Sequence, residues 1–82
     1  RGKFFDSVAA SEVTTVLYES PHRIMRTLQE LSSRLAPDRP IMVARELTKF
    51  FETTYRGSVH EVTEKLKSDT IKGEFVIVVS VV

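Results

Sequence analysis

Two stretches of the chain carry apolar residues at helical spacing, and the first is the more regular. Its apolar residues lie four, three and four positions apart, at Ile24, Leu28, Leu31 and Leu35. This spacing is typical of a helix that packs one face on a core. Ser20 is suited to cap this helix and Pro21 to occupy its first position, so the pattern predicts a start directly after residue 20. The prolines at positions 37 and 40 predict its end.

The second stretch follows a capping signal. Ser58 and Glu61 have the S-x-x-E spacing of a capping box, in which each residue satisfies a free backbone N–H of the other. The apolar face that follows consists of Val59, Val62 and Leu66. The pattern predicts a helix that extends to about residue 68, and a shorter helix is predicted over residues 3–11.

Four further segments have the composition of strands. They are Thr14–Glu19, Ile41–Glu46, Phe51–Arg56 and residues 74–81. The first is rich in β-branched and aromatic residues. The third alternates Phe51, Thr53 and Tyr55 on one face with Glu52, Thr54 and Arg56 on the other. The short link between the second and third strands predicts an antiparallel pair. The continuous apolar run of the last strand predicts a central strand covered on both faces.

The resulting order of elements is (α)βαββαβ. It predicts an α/β (α+β) fold in which helices pack on a mixed sheet, the same element order as in ferredoxin-like folds. With 82 residues, the chain has room for one domain and not two, so residues 1–82 are assigned to a single domain. The order of the strands within the sheet stays open.

Composition excludes several classes of protein. The chain has no cysteine, which excludes a disulfide framework and a thiolate metal site and fits a reducing, cytoplasmic setting. His22 and His60 lie at separate helix starts without metal-ligand spacing, so no metal is predicted. A net charge of +1 indicates no particular nucleic-acid partner. The apolar run Phe75–Val79 is too short to span a membrane.

Two candidate sites lie where strands end. Tyr18–Arg23 (YESPHR) passes from a strand into a helix, the place where α/β proteins often bind ligands. Ala44–Glu52 (ARELTKFFE) crowds charges into the link between two strands. Each has a plainer interpretation, favoured from spacing alone: a simple helix start for the first and a solvated hairpin tip for the second.

Two shorter segments also carry candidate chemistry. In Thr54–Gly57 (TYRG), either Tyr55 or Arg56 faces outward, and an arginine near an aromatic ring can bind a base or a phosphate. Glu74 precedes the buried run of the last strand and could serve as a site carboxylate. A charged edge strand and a solvated carboxylate are the plainer interpretations of these residues, and they are favoured from the pattern alone.

Taken in order, these segments resemble one family. TTVLYESPHRI, RPIMVARELTKFFETTYRGSV and GEFVIVV are similar to the C-terminal region of the ribosomal RNA small subunit methyltransferase I family, within the tetrapyrrole methylase superfamily. The resemblance covers roughly residues 12–80. It implies the C-terminal half of a two-domain enzyme that transfers the methyl group of S-adenosylmethionine to the ribose 2′-hydroxyl of a cytidine in small-subunit ribosomal RNA.

The resemblance also implies partners. The cofactor would lie between this domain and an N-terminal domain that carries the glycine-rich cofactor loops. The 82-residue chain would then be inactive alone, and the whole enzyme could form a homodimer.

Site residues follow from the same resemblance. The cofactor side would be formed by Tyr18, Glu19, Ser20, Glu46, Leu47 and Thr48. Three carboxylates are candidate catalytic bases: Glu19, Glu46 and Glu74. The charges of the segments suggest a basic margin for RNA phosphates at His22, Arg23, Arg45, Lys49 and Arg56.

Two alternatives stay open. The enzyme could methylate a tetrapyrrole or another small molecule, against which the basic residues argue. The domain could instead be a non-catalytic dimerisation or binding module, since an exposed strand edge can pair between chains.

Overall fold

A computed structural model describes residues 2–45 and 52–81 and places three helices and four strands there, in the predicted order. The helices are α1 (Gly2–Ala10), α2 (Ile24–Ser32) and α3 (Val59–Lys67). The strands are β1 (Thr15–Glu19), β2 (Ile41–Arg45), β3 (Thr53–Gly57) and β4 (Phe75–Val79). The predicted elements are therefore confirmed, with shifts at their ends.

The strands form one sheet in the order β1-β4-β2-β3, and every neighbouring pair in the described part of the chain is antiparallel. The α+β class is confirmed, but the sheet is antiparallel rather than mixed. The sheet is antiparallel because strands that run in the same direction are not adjacent in it. β1 and β2 run in the same direction across α2 but are not neighbours, because β4 lies between them. In the same way, β2 separates β3 from β4.

The last strand of the chain is central, as its apolar run predicts. It pairs with β1 on one side and β2 on the other. The prediction that it is covered on both faces is wrong for this chain. Phe75, Ile77 and Val79 are buried in the main core, whereas Val76 and Val78, which point the other way, are only half-buried.

The core lies on the helix-bearing face of the sheet. Its members on α2 are the predicted stripe of Ile24, Leu28 and Leu31, together with Leu35 just beyond the helix. The other two helices contribute Phe5, Val8, Val59, Val62 and Leu66. Burial of these side chains supplies the main driving force for folding.

The start of α2 differs from the prediction. The helix begins at Ile24, and Ser20 is not its cap; Arg23 occupies that position without a side-chain hydrogen bond to the backbone. Residues 21–23 form a turn instead, because the amides of Arg23 and Ile24 both donate to the carbonyl oxygen of Ser20, at 3.1 and 3.0 Å. The helix also ends at Ser32, before the prolines that were expected to stop it.

The start of α3 confirms the predicted capping box. The Ser58 hydroxyl accepts from the amide of Glu61 at 3.2 Å, and the Glu61 carboxylate accepts from the amide of Ser58 at 2.8 Å. The backbone hydrogen bond from Ser58, followed by that residue's side-chain hydrogen bond, lowers the pKa of Glu61. Gly57 ends β3 with φ of +143°, a conformation that favours glycine.

Candidate functional site

One end of the sheet gathers three of the four candidate segments. The last row of paired residues across the sheet runs Glu19, Phe75, Arg45 and Thr53. The Tyr18–Arg23 segment therefore leaves the sheet at this end, and so does β2. Glu74 enters β4 at the same end. Strand pairing here brings together residues that lie more than fifty positions apart in the sequence, such as Glu19 and Phe75.

Tyr18 and Glu19, both predicted from the family resemblance to lie on the cofactor side, point to opposite faces of the sheet. This follows from the alternation of side chains along a strand. Tyr18 lies on the face away from the helices, and 81% of its surface is exposed. The Glu19 side chain lies on the helix side and is only 11% exposed. Their side chains therefore lie on opposite faces of the sheet.

The Glu19 carboxylate joins the end of β1 to α2. Its Oε2 accepts a 2.6 Å hydrogen bond from the hydroxyl of Thr27, and its Oε1 accepts from the amide of Ser20 at 3.2 Å. The guanidinium of Arg23 lies 3.8 Å from the same Oε1. Both carboxylate oxygens are thus engaged by the protein, which fits a residue that holds the turn after β1 in place.

Thr27 was not identified from the sequence, although a signal for it exists. It lies in the apolar stripe of α2 and is 2% exposed. A hydroxyl that deeply buried must find a hydrogen-bond partner. Its position one turn beyond Arg23 directs it back toward the end of β1, where Glu19 is that partner.

Arg45, predicted to contact RNA, is instead engaged within the domain. Its side chain is 13% exposed and donates to the carbonyl oxygen of Thr70 and, at 3.2 Å, to the hydroxyl of Thr53. In addition, Nη2 of Arg45 lies 3.9 Å from Oδ2 of the Asp69 carboxylate. These contacts of Arg45 connect the ends of β2 and β3 to the loop after α3.

Tyr55 and Asp69 complete this group, and the sequence offers no signal for the second. Tyr55 is the inward residue of the TYRG segment and donates its hydroxyl proton to the Asp69 carboxylate. Burial, followed by this hydrogen bond, raises the pKa of Tyr55. The hydrogen bond from Tyr55, then that from the amide of Thr70, lowers the pKa of Asp69.

The remaining predicted residues divide into three groups. Arg56 is exposed on the open face of the edge strand β3, three residues along the strand from Thr53 at the candidate end, and is not brought together with the other site residues. His22 and Arg23 are exposed beside the turn after β1, and Glu74 is exposed at the same end of the sheet. The other predicted positions lie outside the described residues: Glu46, Leu47, Thr48 and Lys49.

Neither a metal site nor a membrane span is found in the described ranges. Residues 2–45 and 52–81 contain no group of three or more histidine, aspartate or glutamate side chains placed to hold a metal ion. Within the same ranges, no helix is long and apolar enough to cross a membrane.

Curated relatives match nearly the whole chain. It is 40% identical over 80 residues to a Synechocystis protein named ribosomal RNA small subunit methyltransferase I, covering 98% of this chain and 29% of that protein. Proteins of the same name from Hydrogenobaculum and Bacillus subtilis are 46% and 40% identical, each over 94% of this chain and over 34% and 26% of their own lengths. The chain therefore spans about a quarter to a third of these relatives. No family model matches it.

Solved structures show the same fold at low identity. A cobalamin biosynthetic enzyme, the cobalt precorrin-4 methyltransferase CbiF, superimposes with a TM-score of 0.72 at 18% identity, over 93% of this chain and 32% of that one. The methyltransferase CobJ superimposes with a TM-score of 0.68 at 20% identity, over 96% and 34%. The predicted fold relationship to the tetrapyrrole methylases is confirmed.

Proposed function

Because this chain is related over nearly all of its length to a segment of the ribosomal RNA small subunit methyltransferase I proteins, we propose that it is the C-terminal domain of an S-adenosylmethionine-dependent methyltransferase. The acceptor is the ribose 2′-hydroxyl of a cytidine in small-subunit ribosomal RNA. The observation that carries the proposal is the 46% identity over 94% of the chain to a protein of that name. The whole enzyme would be cytoplasmic, and the 82-residue domain alone inactive.

The cofactor would lie between this domain and an N-terminal domain, against the end of the sheet that gathers Glu19, Arg45 and Glu74. The exposed ring of Tyr18 fits a nucleoside ligand, since an aromatic face can stack on a base. Ser20 fits through its backbone, whose carbonyl and amide already shape the turn after β1. The predicted contributions of Glu46, Leu47 and Thr48 to the same wall remain part of the proposal.

Glu19 fits a different role from the one its sequence position suggested. Both of its oxygens accept hydrogen bonds from this domain, and its side chain lies on the helix side of the sheet. We assign it to positioning the turn Ser20–Arg23 rather than to contact with the cofactor or to proton abstraction. A homodimer is compatible with this arrangement.

The bound cofactor supplies an electrophilic methyl group, so this chain needs only to align the acceptor hydroxyl and accept its proton. A ribose hydroxyl is a poor nucleophile near neutral pH, which makes alignment or a base valuable. Glu74 is the described carboxylate that suits the second task, since it is exposed at the candidate end of the sheet. Glu46 is the other candidate base.

The proposed margin for RNA phosphates is smaller than the five predicted residues. His22 and Arg23 are exposed and suited to bind phosphate, and Lys49 is retained as a candidate. Arg45 is committed to Thr53, Asp69 and Thr70, so its role in the proposal becomes support of the strand ends. Arg56, on the open face of β3, would contact RNA only away from the reacting ribose.

The test is methyl transfer by the full-length protein. It is incubated with S-adenosylmethionine carrying a labelled methyl and with small ribosomal subunits, and the RNA is digested to nucleosides. Label in 2′-O-methylcytidine supports the proposal. Cofactor binding without labelled RNA would replace it with methylation of a small molecule, as the names of the structural neighbours suggest. Absence of cofactor binding would favour the binding-module alternative.

A further inference from the structure

A small cleft beside the turn after β1 is lined mainly by basic side chains. It has a volume of about 360 Å³ and lies along the first turns of α2. Its lining residues are His22, Arg23, Arg26, Thr27 and Glu30. Two of these belong to the margin predicted from the sequence, but Arg26 does not. The cleft is therefore a more extended basic surface than the YESPHR motif alone indicates.

The acidic groups around this cleft are already paired with other residues. Glu30 accepts from the guanidinium of Arg34 at 2.5 Å, on the side of α2 that also contacts Asp6. Glu19 is directed to Thr27 and to the amide of Ser20. The weak contact of Glu19 with Arg23, at 3.8 Å, leaves the Arg23 side chain 53% exposed. Among the lining side chains, the two arginines exceed the one carboxylate by one positive charge.

Arg26 is the arginine of the cleft that has no partner among the described residues. Across residues 2–45 and 52–81 its guanidinium makes no ion pair and no side-chain hydrogen bond, and the residue is exposed. It also lies in the first turn of α2, which contains no acidic residue. A cation there is repelled by the positive end of the helix dipole, so Arg23 and Arg26 slightly destabilise the isolated domain. An anion bound in the cleft would reverse this effect.

We propose that Arg26, with His22 and Arg23, forms a subsite for a backbone phosphate of the ribosomal RNA substrate. An arginine fork suits the two free oxygens of a phosphodiester, and the cleft adjoins the turn that leads from Tyr18 to α2. The bound phosphate therefore lies beside the end of the sheet assigned to the cofactor. This inference rests on the proposed function, because it names RNA as the ligand.

The test compares RNA binding by variants of the full-length protein. The probe is small-subunit ribosomal RNA, titrated at several salt concentrations. Arg26→Gln removes the guanidinium while keeping a good helix former, and Arg26→Lys keeps the charge. Lys3→Gln is the matched control, because it removes the same charge from an exposed position on α1, outside the cleft. Cofactor binding is measured on every variant to verify that the site is intact.

One lost phosphate contact has a defined signature. Arg26→Gln is expected to weaken binding by about fivefold near 0.1 M salt and to lower the slope of log K against log salt by roughly 1. Arg26→Lys restores the salt slope but only part of the affinity, because an ammonium group keeps the charge without the planar fork. Lys3→Gln changes neither quantity. The inference is overturned if Arg26→Gln binds the RNA with the affinity and salt slope of the wild type. Failure of the proposed function would look different, since the wild-type protein itself would then transfer no methyl group to the RNA.

Discussion

The hydroxyl of Thr27 donates a 2.6 Å hydrogen bond to Oε2 of Glu19, and this contact attaches the buried side of α2 to the last residue of β1. Thr27 is 2% exposed, so the hydrogen bond is shielded from water. It replaces the helix cap that Ser20 was predicted to form. The turn between strand and helix is thereby held from the strand side, by a carboxylate, rather than from the helix N-terminus.

Replacing Thr27 with valine is expected to destabilise the domain. The two side chains have similar shapes, but valine lacks the hydroxyl that donates to Oε2 of Glu19. Hydrogen bonds to charged groups contribute about 1.5–3 kcal/mol. Urea unfolding measures the effect. Thr54→Val is the matched control, since Thr54 is exposed on the open sheet face, and its change should stay within about 0.5 kcal/mol. Equal effects of the two substitutions would refute a special role for the Thr27–Glu19 contact.

Stability at acid pH should depend on Asp69. Its pKa is lowered in the folded state by hydrogen bonds from Tyr55 and Thr70. A lowered folded-state pKa adds stability above the ordinary aspartate pKa of about 3.9, and that contribution is lost as the pH falls through the folded value. Asp69→Asn should therefore lose less stability than the wild type between about pH 6 and pH 3. Identical acid sensitivity of the two proteins would show that this carboxylate is not stabilised in the folded state.

Stability at alkaline pH should depend on Tyr55. Burial and the bond to Asp69 raise its pKa, so the neutral phenol is favoured in the folded chain. Its contribution is complete below the ordinary tyrosine pKa of about 10 and is lost as the pH rises through the higher folded value. Absorbance titration of the wild type and of Tyr55→Phe should assign to Tyr55 a phenolate signal that appears only above about pH 10. Ionisation of Tyr55 at or below about pH 10 would contradict the structure.

The junction of β3 and α3 should require glycine at position 57. Gly57 has φ of +143°, and an added Cβ would lie 2.7 Å from Oε1 of Glu61, the acceptor of the capping box. Gly57→Ala should cost roughly 1–3 kcal/mol of unfolding free energy. Gly2→Ala provides the contrast: it lies in α1, where the nearest atom to the added Cβ is 3.4 Å away, and helix propensity favours alanine. A neutral Gly57→Ala would mean that the junction relaxes freely.

Much of the fold could be predicted from local signals. The stripe from Ile24 to Leu35 and the capping box at Ser58 are periodic or short-range features, and the structure reproduces both. The strand order could not be predicted, because it depends on β4 inserting between β1 and β2, and no local pattern specifies that pairing. The start of α2 was misplaced for a similar reason. Its geometry depends on the contact of Glu19 with Thr27, eight residues further on.

The candidate site was predicted less completely. The motifs indicated which segments meet, and strand pairing brings Glu19, Arg45 and Glu74 to one end of the sheet. The direction of each side chain was missed. Charge alone suggested that Arg45 faces RNA, whereas Asp69 and Thr70, distant in sequence, hold it inside the domain. Charge at a strand end indicates a polar environment but does not say whether the partner is internal or a ligand.

Substitutions of Tyr18 and Glu19 should have different effects, because the two side chains lie on opposite faces of the sheet. In the full-length protein, Tyr18→Ala is expected to weaken S-adenosylmethionine binding while changing unfolding free energy by less than about 0.5 kcal/mol, since its ring is 81% exposed. Glu19→Gln should instead lower stability by loosening the turn after β1. Val16→Ala, on the same strand and face as Tyr18, serves as the control. Unchanged cofactor affinity in Tyr18→Ala would show that Tyr18 does not contribute to cofactor binding.

We propose that the protein containing this domain methylates a ribose of small-subunit ribosomal RNA. The most direct measurement compares that RNA from cells lacking the gene with RNA from the same cells after its return, by mass spectrometry of nuclease fragments. The account predicts that a 2′-O-methylcytidine disappears without the gene and reappears with it. An unchanged set of ribose methylations in the two RNA samples would contradict the account.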